Sequence, residues 1–240
     1  MGETDPTPEP PWQRRPGRSR RTPLTRDAIV EAALRVLDRE GYDGSSMRAV
    51  ADELGTGPAS LYWHVRNKDE LLNLVIDRVS GELEIPDPDP EHWQEQVKDV
   101  ARQMRALMHR HPGVARITLG RIPVGPNVVE VNERILAILR EAGLPDRTAA
   151  YVVDLFSLYI GAYAYEESLG LASPTGEDLP PDQIVGMIKG YFASLPPERF
   201  PNTLALVDQL FDGGFDDRFE FGLDVLVSGL AALDRRSASD

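Results

Sequence analysis

The stretch SSMRAVADELGTGPASLYWHVRNK, residues 45–68, decides the fold. Met47, Val50, Ala51 and Leu54 recur at i, i+3, i+4 and i+7, one apolar stripe of a short helix, while Arg48, Asp52 and Glu53 face elsewhere. The serine before Met47 is the expected N-cap and Gly55 the expected stop. Thr56 is then the expected cap of the next helix, with Pro58 in its first turn, where a missing N–H costs nothing. Helix, tight turn, helix is the pattern of a DNA-reading helix-turn-helix. In the second helix Leu61 and Val65 turn inward, which leaves Ser60, Tyr62 and His64 outward and Lys68 just beyond, a set suited to a phosphate backbone.

Working outward, Thr25 caps a preceding helix with the stripe Ile29, Ala33, Val36 and Leu37 and a stop at Gly41. Asn67 caps a fourth helix, Lys68 to about Glu82, whose inner face is Leu71, Leu72, Val75, Ile76 and Val79 and which is long enough to join two domains. The run from Pro86 to Pro90, with three prolines in five residues, is a hard break. Beyond it the period stays helical. One helix runs from His92 to Pro112, a short helix or turn covers 114–119, and a third spans Val128 to Ala142. Asp146 is the expected cap of a helix to Leu169 that is apolar almost all round and so must be covered on two sides, one by its own domain, the other open to a second subunit. After a polar loop at 171–183 come helices at 184–194, 203–211 and 216–233, the last with small residues Gly222, Ser228 and Gly229 that permit close helix approach. No stretch alternates with period two. The expected fold is all-α, with a disordered basic arm over 1–22, a three-helix helix-turn-helix domain over 23–84 and a larger helical domain over 85–240.

The 240 residues hold no cysteine, which excludes a disulfide framework, a thiolate zinc site and a catalytic thiol. No apolar run is long enough for a membrane span or a signal peptide, so a cytoplasmic protein without a membrane partner is expected. A net charge of −13 argues against a nucleic-acid partner until its distribution is read. Residues 1–80 hold 12 Lys and Arg against 13 Asp and Glu, so nearly all the acidity lies in the remainder. Arg14, Arg15, Arg18, Arg20, Arg21 and Arg26 crowd thirteen positions before and at the first helix. They read equally as a solvated tail or as an arm that reaches phosphates or a minor groove.

The segments LTRDAIVEAAL (24–34), Leu54-Gly55, LYWHV (61–65) and NKDEL (67–71) together resemble the DNA-binding domain of the tetracycline-repressor (TetR) family. ARITLG (115–120) and the region from Tyr163 to Glu167 resemble, more loosely, the effector domain of the tetracycline repressors. The resemblance implies an all-helical homodimer that binds a palindromic double-stranded operator and releases it when a small molecule enters the C-terminal domain. Carried over by position, Ser46 and Arg48 contact the operator from the start of one helix. Gly57, Pro58 and Ala59 approach base edges from the next, and Tyr62, His64 and Lys68 hold phosphates. A guanidinium such as that of Arg48 bonds guanine O6 and N7 together, whereas Gly57, Pro58 and Ala59 bring no side-chain donors, so base discrimination is expected to rest on Arg48 and on DNA shape.

One departure from the pattern is informative. Where tetracycline-binding members place a histidine that helps hold a drug-bound magnesium, this chain has Thr118, although the matching glutamate, Glu166, is kept. A hydroxyl is a far weaker metal ligand than an imidazole. No metal or cofactor is therefore expected, and His109 and His111 each read as a helix-surface histidine or a helix C-terminal charge. A cavity for a small lipophilic or aromatic effector is expected between helices, lined by Met104, Leu107, Met108, Ile117, Phe156, Tyr159 and Tyr163, with Arg121 or Arg134 as polar anchor. The same residues at helical spacing also read as plain core. A helical-bundle enzyme is disfavoured, because Glu166 and Glu167 are adjacent and diverge on a helix, and there is no glycine-rich phosphate loop. A DNA binder indifferent to ligands is the remaining alternative.

Overall fold

The computed structural model describes residues 23–170 and 174–237, and every regular element among them is helical. Helix α1 (Arg26–Gly44) begins where the Thr25 hydroxyl oxygen accepts the Ala28 N–H, and Gly41, at φ 69°, breaks its dihedral run as the glycine stop requires. Helix α2 (Met47–Glu53) is capped by Ser46, whose hydroxyl oxygen accepts the Ala49 N–H. Helix α3 (Pro58–Leu61) departs from expectation at its start. Gly57, not Thr56, takes the extended cap geometry, and the Thr56 hydroxyl donates instead to the Ser60 hydroxyl at 3.2 Å. Helix α4 (Lys68–Ser80) is capped by Asn67 as read.

Past the proline break come α5 (Trp93–Arg110), α6 (Pro112–Thr118), α7 (Pro126–Glu141) and α8 (Asp146–Leu169). Asp146 is the first residue of α8 rather than its cap, and its carboxylate accepts from Arg140 across the turn. Then follow α9 (Pro181–Ala193), α10 (Pro201–Ala205), α11 (Val207–Phe211) and α12 (Phe215–Ser237). The region expected as one helix at 203–211 is thus two short ones joined at Leu206.

Two apolar cores organise these elements. The first gathers Ile29, Val36, Leu37, Val50, Leu61, Val65, Leu72 and Val75 from α1–α4, and it also takes Leu107, Val114, Ile117 and Val128 from beyond the proline break. The second is built from α5, α7, α8 and α12 around Val100, Leu139, Phe156, Ile160, Phe219 and Leu223. In it Gly222 lets Tyr159 lie against α12; a Cβ there would overlap the phenol ring, whose hydroxyl donates to the Phe219 carbonyl.

Polar contacts tie the two cores together. His111 is mostly buried rather than a surface residue, with its Nδ1 2.9 Å from Asp38 on α1. Arg116 donates to Asp43, and Arg121 donates to Asp69. Gly113 sits so close to Leu37 that a side chain there would collide with it, so α6 lies directly on α1.

Candidate functional site

The face around α3 is the DNA-reading candidate. Leu61 and Val65 are buried and fix this segment to the core, which leaves Gly57, Pro58, Ala59 and Tyr62 exposed. Arg48 is 85% exposed and its Nε lies 3.9 Å from Asp52, a contact too loose to hold it. It can swing to a base edge at little cost. The Ser46 hydroxyl oxygen serves as an N-cap acceptor, and its proton remains available to a phosphate. Ser60 is half-buried against Thr56, and His64 is half-buried as well. Lys68 donates to the Tyr42 carbonyl at 3.2 Å and stands 4.3 Å over the Tyr42 ring, so it ties α4 to α1 with donors to spare.

Arg26 is turned toward Glu70, which also accepts from the Arg66 amide and guanidinium. The Arg66 backbone hydrogen bond, then its guanidinium, hold the Glu70 carboxyl below the usual glutamate range. Two residues of this face carried no expected role. Trp63 is 88% exposed, and the Arg66 side chain is 86% exposed. The outward position of Trp63 is legible in the spacing, since it lies two residues from each of the inward residues Leu61 and Val65.

Residues 23–84 hold seven Lys and Arg against twelve Asp and Glu, so this region is itself acidic. Much of that acidity is spent internally: Glu53 accepts from Arg35 and Arg39, and Glu31 from Arg78. The five arginines from Arg14 to Arg21 lie outside the described residues.

The second feature is a cavity of about 470 Å³ between α4 and the helices behind it. Ile76, Val79 and Ser80 of α4 form one wall, Met104, Leu107 and Met108 of α5 another, and Val153, Ser157 and Leu158 of α8 a third. Besides Ser80 and Ser157, Thr118, Arg121, Asn132 and Asp154 add polar groups to a mainly apolar lining. Met104, Leu107, Met108 and Arg121 are therefore where they were expected. Ile117, Tyr159 and Tyr163 are not among the lining. Ile117 is buried in the first core; Tyr159 and Tyr163 instead meet each other and Phe219. Phe156 borders only a narrow void of about 40 Å³ that shares Met104, Val131 and Ser157 with the cavity. Arg134 is directed to Glu130 and the Ile85 carbonyl, away from the cavity.

The donor set does not suit a magnesium-bound drug. The Thr118 hydroxyl donates to the Ala115 carbonyl, and Glu166 is exposed and outside the lining. The inward carboxylate is Glu167, which accepts from Arg105 and touches His109 Nε2 at 2.7 Å. Burial alone would raise the Glu167 carboxyl, but the hydrogen bonds from Arg105 and His109 outweigh it and hold it below the usual range.

A helix-turn-helix head set on a helical chamber, with one helix shared by both, defines a DNA-binding regulator of the ligand-sensing kind. The chain belongs to the tetracycline-repressor family. Residues 29–75 match the family model described as bacterial regulatory proteins, tetR family, and residues 85–233 match the tetracyclin repressor-like C-terminal domain. Over 225 residues it is 34% identical to the HTH-type transcriptional repressor DrrR1 of Streptomyces coeruleorubidus, covering 92% of this chain and 82% of that protein. The crystal structure of apo ActR from Streptomyces coelicolor superposes with a TM-score of 0.82 at 42% identity, over 90% of this chain and 99% of that one. ActR in complex with actinorhodin gives 0.79 at 44% identity, over 88% and 98%. Among the described residues no helix is long and apolar enough to cross a membrane.

Proposed function

We propose that this chain is a transcriptional repressor that holds a palindromic operator as a homodimer and releases it when a small lipophilic effector enters the cavity. Residues 23–84 read DNA in this account, and residues 85–240 bind the effector and the second subunit. The observation that carries it is the double duty of α4, which packs under the reading head through Leu72 and Val75 and walls the cavity through Ile76, Val79 and Ser80. A molecule that displaces this wall alters the spacing of two heads that must meet successive major grooves about 34 Å apart. By linkage, operator weakens effector binding by the same factor.

A repressor named as such and a neighbour crystallised with actinorhodin support the repressor and effector parts of this reading. The dimer is supported by Tyr151, Leu155 and Leu158 on α8 and Phe221 and Val225 on α12, apolar side chains exposed in the isolated chain.

Selection of bound duplexes from a random DNA library tests the proposal, and a palindrome with half-sites one helical turn apart is the expected product. Arg48→Ala should then lose about 1–3 kcal/mol of binding to that palindrome with its fold and dimer intact. Undiminished affinity of the variant in a gel-shift titration overturns the role given to Arg48.

A further inference from the structure

Among the described residues that line the cavity Arg121 is the one cation. It lies in the connection between α6 and α7, its side chain is 22% exposed, and its Nη2 donates to Asp69 Oδ1 at 2.7 Å. Asp69 is the second residue of α4 and is itself 73% exposed. The pair is thus uneven: a largely covered guanidinium at the cavity wall, tethered to a carboxylate that water can solvate as well as arginine does. The one carboxylate of the lining, Asp154, is exposed on α8, where solvent screens its charge.

The pair gains little on its solvated side, because Asp69 gives up good hydration for it. A carboxylate brought into the cavity by an apolar ligand meets Arg121 under better terms. Arg121 shares the lining with aliphatic side chains, charge-assisted hydrogen bonds strengthen with lower local dielectric, and a planar fork can donate to two oxygens at once. Met104 and Met108 give an adaptable, polarisable wall that favours contact with a ring system.

On the reading of the cavity as the effector site, we infer that Arg121 selects an acid: an apolar, ring-containing molecule whose carboxylate takes the guanidinium from Asp69. The exchange unfastens the α6–α7 connection from the first turn of α4. Effector arrival is then felt by α4 at both ends, at Ser80 and Val79 through direct packing and at Asp69 through the broken ion pair. No atom of the ligand needs to reach the reading head.

Anthracene carboxylic acid and its primary carboxamide, titrated calorimetrically into the full-length dimer, form the test. The acid is expected to bind at least about tenfold more tightly than the amide, the scale of hydrogen bonds to a charged group. Arg121→Gln should erase that difference while leaving amide affinity within about twofold. Asp69→Asn, a change at an exposed position that spares the fold, should tighten the acid about threefold by removing the competitor and leave the amide unaffected. If Arg121→Gln does not fold, the acid-to-amide ratio and the Asp69→Asn result decide. Equal affinities for acid and amide, a ratio that survives Arg121→Gln, or an Asp69→Asn variant with unaltered acid affinity overturns the inference and leaves the cavity reading standing. If neither compound binds, the inference falls together with the cavity as a site for apolar effectors.

Discussion

Asp77, near the end of α4, caps α7: its Oδ1 accepts the backbone N–H of Asn127 at 2.9 Å and of Val128 at 3.1 Å. Helix α7 opens on Gly125 and Pro126, which provide no side-chain acceptor for the free amides of its first turn. The missing cap comes from fifty residues upstream, and it fastens the last turn of the reading domain's α4 to the effector domain. Asp77 is buried at 8% exposure for this purpose.

Asp77→Ala leaves the Asn127 and Val128 amides without their acceptor, while the Asn127 side chain keeps only the backbone carbonyl of residue 77, and is expected to cost about 2 kcal/mol. Gly125→Ala should do comparable damage, since a Cβ on Gly125 would overlap the Asp77 carboxylate. Urea midpoints at one fixed protein concentration check both, and an Asp77→Ala midpoint equal to the parent's would dismiss the cap.

The cap was invisible in the sequence for a physical reason. Helical spacing placed Leu71, Leu72, Val75, Ile76 and Val79 inward correctly, because a period of 3.6 depends only on which side of the helix is apolar. It assigned Asp77 no partner, because the partner is set by where α7 begins in space. The cavity suffered likewise. Periodicity says that Met104, Ile117 and Tyr159 turn inward, not which of them meets a void and which a neighbour. Ile117 is claimed by the first core and Tyr159 by Phe219, while Ile76 and Val79, read as plain core, form the wall. The reading head was legible nearly residue by residue, since caps and turn glycines act locally. Thr56 misses by one position: Gly57 takes the extended cap geometry, and the Thr56 hydroxyl goes to Ser60 instead.

Trp63 presents an indole to solvent beside α3, where folding gains nothing from it. Trp63→Ala is expected to shift stability by no more than about 0.5 kcal/mol while weakening operator binding severalfold. Operator titration should also quench tryptophan emission in the parent and much less in Trp63→Phe. Equal quenching in the two proteins removes Trp63 from the interface.

Arg105 and Glu167 form a buried pair, with side chains 11% and 9% exposed, that joins α5 to α8 and, through Asp216, to α12. Glu167→Gln leaves the guanidinium with Asp216 as its carboxylate partner and should cost about 1.5–3 kcal/mol, the scale of hydrogen bonds to a charged group. Because the folded carboxyl titrates below the usual glutamate range, the unfolded chain binds the proton first as pH falls. The pair's stabilisation is therefore complete above the unfolded pKa of about 4.3 and is lost as pH drops through the lower folded value. Thermal melts between neutral and acid pH should fall more steeply for the parent than for Glu167→Gln in that window. Parallel slopes would show that Glu167 is not the titrating group.

The acidity of residues 23–84 bears directly on the arginine arm. With seven cations against twelve anions, and Arg35, Arg39 and Arg78 engaged with carboxylates of the same domain, the head has few free charges to neutralise phosphates. Arg48 and Arg66 are its most exposed cations among the described residues. The five arginines from Arg14 to Arg21 precede it in sequence and add positive charge. Deleting residues 1–21 should thus weaken operator binding and flatten its salt dependence, by about 0.9 in the slope of log K against log salt for each phosphate that the arm neutralises. Specificity between matched and mismatched operators should change little if the arm holds only backbone, and should fall if it enters a minor groove. An unaltered slope after deletion would assign the arm no part in DNA binding and leave Arg48, Arg66 and the spare donors of Lys68 to carry the electrostatics alone.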